Sequence, residues 1–261
     1  MKNIHIIFAL STILVISACK QERLEEKGFQ VGPTSEATEE DRATWINQDS
    51  LNFNTRPSNV LLTGNPNIRI TTIYKVNFNK ETKANFIGSN SFYGNYTDIV
   101  NTHGNEWNYN FMPGIKAVYG YNMVNISHYN ITANKQKTLF EKPVLIKTLY
   151  YPAYSKDTLN YKPVNRNYFM VSVYNDDTNK DGFINIKDLR RLFLFDINGD
   201  KQSALVPENY SVIKSEYDPE NDFMYVFAKL DENQNGQQDE SEPTHIYWVD
   251  LNDPSKTGRQ Y

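Results

Sequence analysis

At 261 residues, with 39% hydrophobic and 22% charged side chains, the chain is long enough for one sizeable globular domain, and its composition marks it as neither disordered nor disulfide-built. A formal net charge of -4 offers no basic surface to a phosphate backbone, so nucleic acid is not an expected partner. Aromatics at 13%, led by 18 Tyr and 14 Phe, lean towards strands, and the single cysteine allows no intramolecular disulfide.

The amino terminus carries Lys2, a mostly apolar run from Ile4 to Ile16, and then Ser17, Ala18 and Cys19. That run falls short of the ~18 apolar residues a membrane span needs and has the layout of a secretory signal core. The tetrad Ile16-Ser17-Ala18-Cys19 resembles the lipobox of bacterial lipoproteins. The resemblance implies that residues 1–18 are a signal peptide, that Cys19 becomes the lipid-bearing first residue, and that this lipid holds the mature protein to a membrane. Lys20 follows the cysteine where an Asp would retain the protein at the inner membrane. By the same resemblance the protein is expected in the cell envelope, at the outer membrane, with the periplasmic or surface face left open.

Residues 19–56 are polar and acidic, with Glu25-Glu26, Gly32-Pro33 and Glu39-Glu40-Asp41, and with Phe29, Trp45, Ile46, Leu51 and Phe53 as the larger apolar groups. So little apolar surface does not offset the entropy of ordering, and the stretch reads as a lipidated, mostly flexible tether whose later half docks through Trp45 and Phe53. Residues 57–261 read as a β-rich repeat domain. Short apolar or alternating runs, punctuated by Asn, Asp, Gly and Pro, predict strands at Asn59 to Leu62, Ile68 to Phe78, Ala117 to Ile126, Val144 to Tyr151, Tyr168 to Tyr174, Leu192 to Ile197, Phe223 to Ala228 and Ile246 to Leu251. Ile186 to Leu194 has helical composition, but its tail Leu192-Phe193-Leu194-Phe195 suits a strand better.

An internal repeat runs through the second half. Tyr168-Phe169-Met170-Val171 aligns with Asp222-Phe223-Met224-Tyr225, and without a gap Asp177 meets Asp231, Gly182 meets Gly236, and Leu192 to Asp196 meets Ile246 to Asp250, at a constant 231 − 177 = 54. Upstream, Leu145-Ile146-Lys147-Thr148 resembles Val212-Ile213-Lys214-Ser215, and the turn after Asn130 echoes the turn after Asp196. Such units resemble the blades of a β-propeller, and the domain has room for about four. The expected fold is therefore all-β, a repeated antiparallel β-meander of small or partial propeller type, with a β-sandwich as the alternative.

Within the repeat, Asp177-Thr178-Asn179-Lys180-Asp181-Gly182-Phe183-Ile184-Asn185-Ile186-Lys187-Asp188 resembles the twelve-residue calcium loop of EF-hands and dockerins. Oxygens at positions 1, 3 and 5 converge on a hard cation, Gly at 6 permits the turn, position 7 offers its carbonyl, and the acid at 12 closes the shell. The expected donors are Asp177, Asn179, Asp181, the carbonyl of Phe183, Asn185 directly or through water, and Asp188. The second copy supplies Asp231, Asn233, Asn235, Gln237, Asp239 and Glu242 at the same spacing. The flanks, Tyr168 to Tyr174 and Phe223 to Ala228, have strand composition, so calcium is expected as a structural staple on hairpins, without the opening helix pair of an EF-hand sensor. A turn rich in Asp, Asn and Gly that holds no ion is the alternative.

No nucleophile elbow, phosphate-binding glycine loop or paired-His zinc motif occurs, and no catalytic residue stands out. The tripeptides Asp49-Ser50-Leu51 and Asp157-Thr158-Leu159, with the Asn-, Lys- and Tyr-rich style, resemble lipoproteins of the Bacteroidetes. Tyr93, Tyr96, Trp107, Tyr109 and Phe111 are interleaved with Asn and Gly as in loops that stack on sugars, although packing explains them equally well. The expected function is a surface-tethered, calcium-stabilised binding or scaffold module whose partner is a glycan or an envelope protein. A hydrolase using carboxylates on the loop face and an accessory subunit of an envelope complex are the alternatives.

Overall fold

Period-two burial builds the domain: along Ile68–Lys75 the residues Ile68, Ile70, Thr72 and Tyr74 point inward while their neighbours stay half-exposed. The computed structural model describes residues 28–32, 53–93 and 112–261. The signal peptide, Cys19, Trp45, Asp49-Ser50-Leu51, Tyr96, Trp107, Tyr109 and Phe111 lie outside the described residues.

In chain order the strands are β1 (Phe29–Gln30), β2 (Thr55–Leu62), β3 (Ile68–Lys75), β4 (Asn77–Asn79), β5 (Ala84–Phe86), β6 (Ser91–Tyr93), β7 (Ile115–Tyr119), β8 (Met123–Asn130), β9 (Lys135–Thr138) and β10 (Leu145–Pro152). They continue with β11 (Asp157–Leu159), β12 (Lys162–Val164), β13 (Tyr168–Tyr174), β14 (Phe183–Ile184), β15 (Arg191–Asp196), β16 (Lys201–Ala204), β17 (Tyr210–Asp218), β18 (Phe223–Leu230), β19 (Thr244–Asp250) and β20 (Thr257–Arg259). Among the described residues no helix forms and the sheets are antiparallel, so the fold is all-β.

Three four-stranded meanders follow one another along the chain, β2-β3-β8-β9, then β10-β13-β15-β16, then β17-β18-β19-β20. The first two are joined by the single pair Ile146↔Met123, and β7, itself paired with β6, runs along the free edge of β10. Length alone gave room for about four units. Insertions use that length instead: β4 to β7 lie between β3 and β8, and the hairpin β11-β12 lies between β10 and β13. Two of the expected strands are also divided. Ala117 to Ile126 holds the end of β7 and the start of β8, because Asn122 turns the chain at a φ of 53°. Ile68 to Phe78 divides at Val76, whose amide donates to Asn54 O at the end of the β2–β3 ladder, after which β4 pairs with β5 instead.

The middle meander is buried on both faces. Phe169, Val171, Val173, Phe193 and Phe195 pack with Ile68, Ile70, Tyr74 and Ile126 of the first meander. Tyr168, Met170, Leu192 and Leu194 pack with Met224, Val226, Tyr247 and Val249 of the third. Burial on both faces explains why β13 and β15 read as near-continuous apolar runs rather than alternating ones.

Those faces also correct the repeat register. Phe169 lies in the first core, but its ungapped partner Phe223 stays half-exposed while Met224 points inward, and a slip of one residue exchanges the faces of a strand. Matching inward residues gives 226 − 171 = 55 for β13 and β18, against 249 − 195 = 54 for β15 and β19. The first unit thus has one extra residue just before its loop, since 177 − 171 is 6 but 231 − 226 is 5. For β10 and β17 the matching offset is 217 − 151 = 66, which also superposes their bulges, at Lys147 and at Ile213.

Candidate calcium loops

Asp177 to Asp188 joins β13 to β15, and Asp231 to Glu242 joins β18 to β19, so the two loops occupy the same connection of consecutive meanders. Both are flanked by strands. Asn185 and Asp188 are buried in the first, Asp231 and Glu242 in the second.

The two loops are folded by the same hydrogen bonds. In the first, Asp177 accepts from the amides of Asp181 at 3.0 Å and Gly182 at 2.8 Å, Asn179 Oδ1 accepts from Asp181 N at 3.0 Å, and Asp181 Oδ1 accepts from Phe183 N at 2.9 Å. In the second, Asp231 accepts from Asn235 N at 3.0 Å and Gly236 N at 3.1 Å, Asn233 Oδ1 from Asn235 N at 2.9 Å, and Asn235 Oδ1 from Gln237 N at 2.8 Å. The left-handed residues coincide as well, at position 4 (Lys180, φ 61°; Gln234, φ 58°) and at position 6 (Gly182, φ 87°; Gly236, φ 73°). The acid at position 12 turns back in both: Asp188 accepts from Thr178 N and Asn185 N, each at 2.8 Å, and Glu242 from Glu232 N at 3.1 Å and Asp239 N at 3.0 Å. Asp188 Oδ1 also accepts from Asn179 N at 3.4 Å and Thr178 Oγ1 at 3.3 Å, whereas Asp188 Oδ2 and the two Glu242 oxygens hold one amide each and retain acceptor capacity.

The remaining acid changes place between the copies. In the first loop Asp181 at position 5 faces the amides of Asn179 and Asn185, both at 3.4 Å. In the second, Asp239 at position 9 accepts from Asn233 and Asn235, both at 2.8 Å. One carboxylate and two amides therefore meet inside each loop. Among the described residues no three His, Cys, Asp or Glu side chains form a metal-binding group, so a cation here would need amides and main-chain carbonyls beside the carboxylates. The loops offer that all-oxygen mixture, which suits calcium rather than a transition metal.

Two contacts that the sequence did not reveal fix the loops. The tether strand β1 pairs with β14 inside the first loop, with Phe29 opposite Ile184 and Gln30 opposite Phe183. Val31 N donates to Gly182 O at 2.9 Å, which makes Gln30 and Phe183 a non-hydrogen-bonded pair and turns the Phe183 carbonyl away from β1, as position 7 requires. Phe29 is buried with Val124, Leu145, Tyr174 and Ile184, and its ring lies 5.0 Å from that of Phe53. The loops also touch each other. Thr178 Oγ1 donates to Gly236 O at 2.6 Å and accepts from Leu189 N at 2.9 Å, and Asp188 pairs with Gln237 in an isolated bridge. Sequence signalled neither, because a two-residue strand in an acidic stretch has no periodicity and Thr178 is a non-ligating position.

Burial pushes the Asp188 carboxyl up to about 6, with Asp177 adding to the shift and the amides of Asn185, Asn179 and Thr178 opposing it. Among the described residues no salt bridge reaches Asp188: the ion pairs involve Lys137, Arg166, Lys214 and Lys256. No family model and no curated protein matches this chain in sequence.

Proposed function

We propose that the chain is a lipoprotein, anchored in the outer membrane through Cys19, whose repeat domain is a binding or scaffold module stiffened by calcium at its two loops. The observation that carries this reading is the agreement of the two loops in hydrogen bonds and left-handed positions at the same point of consecutive meanders. Agreement at that level exceeds what two unrelated Asp and Asn turns need. The donors are Asp177, Asn179, Asp181, Phe183, Asn185 and Asp188 in one loop, and Asp231, Asn233, Asn235, Gln237, Asp239 and Glu242 in the other. Calcium acts there as a staple in a protein that has no disulfide, and extracellular sites of this kind have dissociation constants of about 0.1 to 1 mM.

For the fold, burial of the middle meander on both faces favours a partial propeller of stacked blades over a sandwich, in which each sheet would bury one face. A structural role for the loops is favoured over an enzyme. The acid with the most perturbed proton affinity, Asp188, is fully buried with both oxygens on main-chain amides, out of reach of a substrate. Calorimetric titration with calcium should give two ions per chain, falling to one in Asp231→Ala, while Cys19→Ala should move the protein from the membrane to the soluble fraction. Absence of calcium uptake refutes the staple, and an unmoved Cys19→Ala protein refutes the anchor.

A further inference from the structure

Between the middle and third meanders, beside the superposed bulges, the apolar interface opens into a cavity of about 210 Å³. Its inner wall is hydroxylic. Thr148 and Ser172, cross-strand partners on the face turned to the third meander, are each 5% exposed and both line it. Tyr150 OH and Ser215 Oγ lie opposite at 3.4 Å. Lys147, Arg190 and Lys214 also line this cavity, and among the described residues no acid does. Lys214 is paired with Glu216, but Arg190 donates to the carbonyls of Val212 and Ile213 and forms no salt bridge, and Lys147 on its bulge has neither. With Lys214 held by Glu216, Lys147 and Arg190 are the cations without a carboxylate beside these hydroxyls, a lining that suits an anion.

A second cleft, of about 590 Å³, shares Lys147 with the first. Tyr119, Tyr121, Ser89, Ser91 and Asn122 line it, and Ile186 of the first calcium loop closes one side. Asn122 is 4% exposed and its Oδ1 has no partner among the described residues. The ring of Tyr121 stacks on Phe86 with an interplanar angle of 8°, so that it is held as a flat wall. Flat aromatic walls with neutral amide and hydroxyl edges suit a ring whose faces are apolar and whose rim is hydroxylated.

We infer that the two clefts form one site for an acidic sugar residue of a glycan, with the ring in the larger cleft and its carboxylate at Lys147 and Arg190. The inference rests on the reading of the domain as a binding module and supplies its ligand class. It also explains the position of the first loop, because calcium there would order Ile186 at the edge of the site.

The test uses the full-length lipidated protein in detergent with calcium present, titrated calorimetrically with a glucuronate-containing tetrasaccharide, with its carboxyl-reduced counterpart and with inorganic sulfate. The acidic tetrasaccharide should bind, and the reduced one roughly tenfold more weakly, as expected for one charged hydrogen bond. Lys147→Gln should lower affinity by a similar factor without moving the unfolding midpoint, and Thr148→Val, which keeps the shape, should lower it less. Equal binding of the two tetrasaccharides, no binding of either, sulfate binding alone, or an unaffected Lys147→Gln protein each overturns the inference. A calcium-dependent midpoint in the same samples reports on the loops separately, so a stapled protein that ignores the acidic sugar discards only the ligand, whereas a midpoint indifferent to calcium discards the staple.

Discussion

Replacing Arg166 by methionine should be among the most damaging single changes in the molecule. Its guanidinium is fully buried where the middle and third meanders meet, and it donates to both oxygens of Asp222, at 2.8 and 2.9 Å, to Pro113 O at 3.1 Å and to Leu251 O at 2.6 Å. Asp222 also accepts from Tyr217 OH at 3.1 Å. Removing one partner of such a pair leaves a buried charge and costs about 3 to 5 kcal/mol, and the abandoned Pro113 carbonyl adds about 1 to 3 kcal/mol. For a domain of this size ~2 to 4 °C is lost per kcal/mol, so the midpoint should fall by roughly 8 °C or more. Asp222→Asn keeps the volume and tolerates the left-handed φ of 56° at this position, and it should cost less, since the carbonyl bonds of Arg166 survive. Unfolding by heat and by urea, followed by near-UV dichroism, gives both single costs and that of the double variant. The double variant should fall short of the sum by ~1 kcal/mol or more, the signature of coupled residues. Single costs below ~1 kcal/mol, or strict additivity, would refute the claim that this pair locks the two meanders.

Other consequences concern the loops and the tether. A Cβ on Gly236 would stand 2.0 Å from Thr178 O at a φ of 73°, so Gly236→Ala should cost at least ~2 kcal/mol in urea unfolding and weaken calcium binding at both loops; an effect confined to the second loop contradicts their contact. Phe29→Ala should release β1, seen as faster amide exchange at Ile184, for less than the ~3 to 5 kcal/mol of a core Phe deletion, because the segment can peel away. Unchanged exchange would mean that Phe29 does not hold the strand. The raised Asp188 carboxyl favours the folded state when protonated, so in EDTA its contribution is full below about 3.8 and is lost as pH rises through about 6. Asp188→Asn should remove that loss from a pH series of unfolding midpoints, and an unchanged profile assigns it to other groups.

The turns of the two loops were legible because they are local: Asp, Asn and Gly at fixed spacing within twelve positions set the side-chain-to-amide bonds and the left-handed Gly182 and Gly236, whereas calcium at them is a proposal. Strand type was legible for the same reason, from alternation at Ile68–Lys75 and from unbroken apolar runs at β13 and β15. Register was not. Phe169 and Phe223 are chemically alike, and only the face each presents reveals the shift from 54 to 55. The turn at Gly120 to Asn122 was hidden because apolar residues flank it on both sides, which joined β7 to β8 in the reading of sequence. Pairs such as Arg166 with Asp222, or Gln30 with Phe183, depend on how meanders stack and carry no periodic signal.

Thermal unfolding of a soluble form beginning at Lys20, in EDTA and then in rising calcium, beside the double variant Asp177→Ala and Asp231→Ala, addresses the staple most directly. Calcium at a hundred times its dissociation constant should contribute about 2.7 kcal/mol per site and raise the parent midpoint by several degrees, leaving the double variant unmoved. A parent midpoint that ignores calcium, or a double variant that follows it equally, would contradict calcium binding at these loops.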